Sequence, residues 1–322
     1  LVPYSGNRAL VEGAFFAAIT VVLGFLGQFV PLLPLLMPVP LAVLVRRHDL
    51  KLGFMALAVA VALMFMLFGR PLTVLLLVIQ SGPVGLLLGL LFKNRVSSGL
   101  GIAVTSIMGV VTTVLVLAIS FWLTGISPFA MGDEMHRSIE QALKFYQRNG
   151  LLDNAQLQMM KASMEQAINF VVQLIPGILV TASIMSSFIT YALTHFILVK
   201  MQFETVPLPP FSRWKLPWYV IWGGIAGLSF ILLGDEIALA SLATVGKNIL
   251  YVMGFVYFIL GVSVFIFFMK KWNIARPVKF LIVALVVLYW HVALSMMLTL
   301  GVIDPVMDLR RLSKHGDTTK GG

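Results

Sequence analysis

Cysteine is absent from the 322-residue chain, which removes disulfides, thiolate metal sites and cysteine nucleophiles together. Charge is scarce as well. Asp, Glu, Lys and Arg make up 11% of the residues, against about 25% in an ordinary soluble domain. Acids are the rarer sign, 13 against 23 bases, for a net charge of +10. The five His residues are scattered without metal-ligand spacing, so no metal and no other cofactor is expected. The chain also lacks a phosphate-binding Gly-x-x-x-x-Gly-Lys loop, a His-Glu-x-x-His pair and a Gly-x-Ser-x-Gly elbow. The expectation is that it is not an enzyme, and not itself an ATPase.

What fills the sequence instead is apolar: 59% of the residues are hydrophobic. In water that much apolar surface would have no cover, whereas in a bilayer it faces lipid. A helix needs about 20 apolar residues to cross the hydrocarbon core, and backbone groups there must bond internally. Apolar runs predict spans over Ala9–Phe29, Leu52–Phe68, Leu72–Phe92, Leu100–Leu123, Ile168–Leu198, Trp218–Leu233, Ile249–Phe268 and Val278–Leu300. The first run is too long for a signal-peptide core of about 7–15 residues. A second, short segment ends near Val45, after Pro31, Pro34, Pro38 and Pro40. It is either a tilted span or a re-entrant element buried in protein. The fold class is therefore all-α: a polytopic integral membrane helix bundle with about nine transmembrane helices.

Basic residues cluster in alternate loops: Arg46, Arg47 and Lys51; Lys93 and Arg95; Lys200, Arg213 and Lys215; Lys270, Lys271, Arg276 and Lys279. The other short loops hold little beyond Arg70 and Lys247. Such asymmetry marks cytoplasmic loops and puts the N-terminus inside. No basic helix or aromatic-basic pattern accompanies the charge, so no nucleic-acid partner is expected. Nine spans leave the C-terminus outside, against the presence there of Arg310, Arg311 and Lys314. Either the tail lies along the membrane surface or the count is off by one.

Residues 125–167 are polar. Met135, Ile139, Leu143 and Tyr146 recur at helical spacing, and so do Leu157, Met160 and Met164 beyond an N-cap at Asp153 or Asn154. The pattern predicts an extracytoplasmic amphipathic helical hairpin whose second helix runs into the sixth span. It is a packing hairpin that covers the bundle, or a lid or partner-docking arm over an outward cavity. The organisation read from this is a membrane part over 1–203 with the insertion 125–167, a Pro-rich connector over 204–217, a three-helix part over 218–300 and a tail over 301–322.

Ala9, Gly13, Ala14, Ala17 and Ala18 give the first span small-residue faces, which let helix backbones approach closely in lipid. They serve internal packing or the docking of another membrane subunit. Arg8 and Glu12, four apart, are expected to pair. In-span polar groups include Gln28, Ser81, His195 and His291. Of the others, Gln80, Asn169, Gln173 and Tyr191 are the candidate substrate pocket, since pockets in bundles are built from a few convergent polar groups.

Three stretches carry a resemblance: Ala9-Leu-Val-Glu-Gly-Ala-Phe-Phe-Ala-Ala18, then Pro31 to Leu41 with Arg46-Arg-His-Asp-Leu-Lys51, then Gly82-Pro-Val-Gly-Leu-Leu-Leu-Gly89. In order and character they resemble the substrate-binding S components of energy-coupling-factor transporters. Over its full length, with the ending Leu300-Gly-Val-Ile-Asp-Pro-Val-Met-Asp-Leu-Arg-Arg-Leu312, the chain is similar to the YybS-like family of predicted bacterial membrane proteins. The S-component resemblance implies a six-helix first part, a small-molecule or lipid ligand, and docking of the first helix on an energy-coupling transmembrane subunit driven by ATPase subunits. S components usually have six helices, and this chain adds a C-terminal group of three. The rival expectation is a scaffold for envelope or cell-division proteins that transports nothing.

Overall fold

The computed structural model describes residues 6–125, 131–149, 153–272 and 274–311. Among these residues there is no strand. The helices are α1 (Gly6–Leu26), α2 (Pro38–Arg47), α3 (Leu50–Phe68), α4 (Pro71–Lys93), α5 (Ser98–Thr124), α6 (Met131–Arg148), α7 (Asn154–Lys200), α8 (Ile221–Glu236), α9 (Ala240–Lys271), α10 (Arg276–Leu288) and α11 (Trp290–Met307). Among the described residues, eight stretches are long and apolar enough to cross a membrane: α1, α3, α4, α5, α7, α8 with its leading turn, α9 and α11. The chain is a multi-pass helical membrane protein.

Local chemistry sets the helix ends. Asp49 caps α3, its carboxylate accepting the Leu52 N–H at 2.7 Å. Gly69 closes that helix at φ +60°, a conformation that costs a residue without Cβ least. Pro71 then opens α4, where its missing N–H is no loss. The cap of α7 falls on Asp153, which accepts from Gln156 N at 2.7 Å while Gln156 Oε1 accepts from Asp153 N at 3.1 Å. This is a reciprocal capping box. As expected, the second amphipathic helix runs unbroken into the sixth span. At 47 residues, α7 is about 70 Å long, more than twice the ~30 Å hydrocarbon core.

The chain divides into two compact units, Leu1–Met131 with Leu179–Leu208, and Gly132–Ile178 with Pro209–Gly322. One break between the units falls after Leu208, within the Pro-rich stretch. Residues 132–167 and the first half of α7 lie in the second unit. Physical contacts tie them there: a Cβ at Gly132 would stand 2.9 Å from Val172, and the backbone at Gln173 and Gly177 is bonded to Asn248 of α9.

In the first unit, α2 decides the topology. It has 10 residues, of which Pro38 through Val45 are all buried, and a 3-10 turn at Leu33–Leu36 precedes it. Together they rise about 23 Å. A Cβ at Gly27 would meet Pro34, and one at Gly24 would meet Met37. At its other end Arg47 bonds Glu12 near the start of α1 at 2.9 Å. The segment therefore returns the chain to the end where α1 began. It is a broken, buried crossing, not a loop that leaves by the end it entered. Close packing makes this possible: a Cβ at Gly85 would lie 2.7 Å from the Pro38 carbonyl oxygen, and one at Gly89 2.7 Å from that of Ala42. The Gly82–Gly89 stretch thus lets α4 lie against bare α2 backbone.

In the second unit the expected ninth span, Val278–Leu300, is two helices broken at Tyr289 (φ −104°, ψ 44°). No residue of α10 is buried. The chain end also differs from the nine-span expectation. Lys215 pairs with Asp308 at 3.7 Å, and Arg310 bonds the carbonyls of Ser212 and Trp214. So α11 ends beside the connector that leads into α8, not at the opposite end of the unit. Of the two resolutions anticipated for the basic tail, this supports the miscount of one.

Candidate functional site

The small residues of α1 fall on two faces. Gly13 and Ala17 are buried and Ala9 is half-buried, and a Cβ at Gly13 would press on Leu52 of α3 at 3.2 Å. Ala17 joins the core of Ala56, Ala60, Leu52 and Met64. That face serves internal packing. Ala14 and Ala18 look outward with Val11, Phe15 and Val22. Glu12 pairs not with Arg8 but with α2: Arg47 Nε lies 2.8 Å from its carboxylate and His48 Nε2 2.7 Å. The expected Arg8–Glu12 pair is replaced by one to the last residue of α2, Arg47, and to His48 just after it.

Around Glu12 the basic loops of the first unit meet. Arg46 donates to the Glu204 carbonyl at 3.1 Å and lies over the Phe203 ring at 5.2 Å. Lys93 donates to the His48 carbonyl, and Arg95 pairs with Glu204. Ser98 donates to Pro207 O at 3.1 Å. The loops at 46–51, 93–98 and 203–207 share one end of the unit, as the alternation of charge requires.

The four pocket candidates are divided between the two units, Gln80 and Tyr191 in the first, Asn169 and Gln173 in the second. Gln80 donates to Thr113 Oγ1 at 3.1 Å, and Thr113 shares a hydrogen bond of 2.8 Å with Ser183. Tyr191 is buried against Phe92, ring centroids 4.9 Å apart, and packs over Gly101. Thr113 and Gly101 are separated by about 18 Å of α5. In the other unit Asn169 is exposed, and Gln173 Oε1 accepts from Lys247 at 3.0 Å. His195 stands 3.3 Å from the Thr205 hydroxyl. His291 is exposed and stacks on Trp290. Among the described residues no three His, Cys, Asp or Glu stand together as a metal site would need.

Gln173 leads to a feature that the sequence did not announce. Pro176 lies inside α7, lacks an N–H and pushes its ring at the preceding turn. Asn248 of α9 repairs the break. Its Nδ2 donates to the Gln173 carbonyl at 2.7 Å and to the Thr244 carbonyl at 2.8 Å, while its Oδ1 accepts from Gly177 N at 2.6 Å. The side chain is inserted between a donor and an acceptor that a regular helix would pair with each other. In lipid such groups must find a partner. Lys247 stands next to it, half-buried. The signal in sequence was a Lys-Asn dipeptide at the start of an apolar run. Nothing local said that Asn248 would face Pro176.

A second polar lock closes the same unit. Arg310 has no exposed side-chain surface and Asp304 only 4%. Arg310 Nε and Nη2 donate to the two Asp304 oxygens at 3.1 and 2.7 Å. Nη1 donates to Ser212 O at 2.9 Å and Ser263 Oγ at 3.0 Å, and Nη2 also to Trp214 O. All five guanidinium N–H groups thus have acceptors. The closing motif, read in sequence only as a likeness, is the ion pair that fixes the end of α11.

The comparisons agree on a membrane protein. The family described as "Predicted membrane protein (DUF2232)" matches residues 18–305. The uncharacterized protein YybS of Bacillus subtilis (strain 168) is 26% identical over 317 residues, covering 96% of this chain and 99% of that protein. No solved structure matches.

Proposed function

Since the chain belongs to the DUF2232 family of predicted membrane proteins, we propose that it is a transport-related binding protein of the bacterial inner membrane. It takes a small molecule or lipid between its helices and has no catalytic step of its own. The observation that carries this reading is the broken crossing at α2. Irregular backbone at membrane depth survives only where protein buries it or a cavity needs it, and discontinuous helices are a recurrent way of building transporter binding sites. A second break, at Pro176, with a half-buried cation and two amides around it, supports the same reading. A pure scaffold needs neither.

The shared end of the loops holding Arg46, Arg47, Lys93 and Arg95 supports a cytoplasmic N-terminus by the positive-inside rule. For partners, the face of α1 left open is Ala14–Ala18. If energy-coupling transmembrane and ATPase subunits drive this protein as they drive S components, that face is where the coupling subunit rests. The scaffold reading draws on α6, whose Phe145 and Tyr146 are exposed on an otherwise polar helix.

The test is mild purification followed by analysis of what accompanies the protein. A bound small molecule or lipid together with ATPase subunits supports transport, whereas envelope proteins without either would overturn it. Leucine at Ala14 and Ala18 should leave the fold intact and strip the coupling partner. Leucine at Gly13 and Ala17 should disrupt the packing against Leu52 and damage the fold itself.

A further inference from the structure

We infer that Lys247 and Gln173 form a binding site for a phosphate-class anion, filled by the headgroup of an anionic phospholipid. The inference stands whether the chain transports or scaffolds. Three observations meet there. The first is charge. Lys247 is half-buried, and its partner among the described residues is a neutral amide oxygen, Gln173 Oε1 at 3.0 Å. No carboxylate of the described residues forms an ion pair with it, while Lys161, Lys215 and Arg310 of the same unit each have one. With no counter-ion among the described residues, Lys247 at the edge of a membrane-spanning helix leaves a charge for an anion to meet.

The second is the supply of donors. An ammonium group has three N–H and a primary amide two. Gln173 Oε1 takes one from Lys247. Two N–H of Lys247 and the amide N–H of Gln173 have no acceptor among the described residues, and they arise from adjacent groups. Their position is fixed by the repair at Pro176, because Asn248 is bonded to the Gln173 carbonyl and Gly177 N. The site therefore has a rigid floor. Neighbouring residues on α7 and α9 hold the two donor groups in register.

The third is depth. Lys247 lies two turns into α9 and just before the apolar run Ile249–Phe268, at the end of the helix opposite Lys270 and Lys271. A run of about 20 residues covers the hydrocarbon core, so the ammonium stands at its boundary, where lipid phosphates are. Asp235 and Glu236 of the preceding turn are exposed and do not neutralise it.

The experiment uses the full chain in a neutral detergent and follows its melting temperature. Three additives are compared: dioleoylphosphatidylglycerol, dioleoylglycerol (the same chains without phosphate) and inorganic phosphate. The expected result is a rise of several degrees with the phosphatidylglycerol and none with the diacylglycerol. A rise with inorganic phosphate alone would keep the anion site and make its occupant a free ion. Lys247→Gln should abolish the rise. Should that variant fold poorly, Gln173→Glu supplies the missing counter-charge within the protein. It should melt no lower than the wild type without lipid, and it should lose the response to phosphatidylglycerol. A wild-type-sized response in Gln173→Glu, or no response of the wild type to either anion, would overturn the inference.

Discussion

Apart from Arg70, the first unit gathers its charges at one end, where they stay in reach of water. Glu12 and Arg47 keep 24% and 29% of their side-chain surface, and the Arg95–Glu204 pair more than half. The second unit buries its Arg310–Asp304 pair almost completely. The two units treat helix breaks differently as well. The break before α2 is closed from within the segment, by a 3-10 turn and dense packing on Gly85 and Gly89. The break at Pro176 is closed by a side chain from another helix, Asn248. The contrast is between a rim that marks topology and tolerates change, and an interior whose polar groups are sealed from water and depend on a fixed set of partners. It predicts where single substitutions are severe.

The largest effect is expected at the buried pair. Asp304→Ala leaves the Arg310 guanidinium dehydrated with no counter-charge, a loss of about 3–5 kcal/mol by the behaviour of buried pairs with one partner removed. Arg310→Lys keeps the charge but offers three N–H where five are used. It should be clearly destabilised too. Replacing both residues by apolar ones of similar volume should recover part of the loss. Reversible unfolding in mixed micelles measures all three. If Asp304→Ala costs no more than a rim substitution, the contrast between the units fails.

Next comes Asn248→Leu. It leaves Gly177 N–H and the Gln173 carbonyl without their partner, at about 1–3 kcal/mol for each buried group left unmade. Restoring the ladder tests the cause. With Pro176→Ala added, α7 is free to close its own hydrogen bonds, and the double variant should be more stable than Asn248→Leu alone. Hydrogen exchange at Gly177 gives a local reading of the same event. An Asn248→Leu protein as stable as the wild type would mean that the break is repaired some other way.

These two sites also show what the sequence could and could not carry. Span positions follow from apolar length, so α1, α3, α4, α5 and α8 fall within about a turn of expectation, while α9 begins nine residues before the expected Ile249. The Asp153 cap and the continuity of α7 follow from local pattern. The end of the chain did not follow, because the stop at Tyr289 has no proline or glycine to mark it. Its consequence, α11 ending at the connector, depends on Arg310 finding Ser212 and Trp214 across about a hundred positions of chain. The pocket candidates were chosen for polarity within apolar runs, which reports cost but not convergence. Gln173 belongs to a polar cluster only because Pro176 faces Asn248, and pairing between distant helices is not written in either stretch. In the same way the small residues of α1 were visible as a set. Their division into an inner face, Gly13 and Ala17, and an outer one, Ala14 and Ala18, needed α3 in place.

The smallest expected effect is at the rim. Glu12→Gln removes the charge that holds Arg47 and His48 but keeps an acceptor of nearly the same shape. Both partners of the ion pair are about a quarter exposed, and pairs of that kind contribute about 1 kcal/mol or less. Added salt should reduce even this difference, since exposed charges are screened at ordinary ionic strength. The Arg310 pair, sealed from solvent, should show no such salt dependence. Measuring both variants at low and high salt turns the contrast between the units into a number: a salt-sensitive loss at Glu12, a larger and salt-insensitive one at Asp304. Equal salt sensitivity at the two sites would mean that the second unit's lock is wetter than its burial implies, and that both units hold their charges in one way.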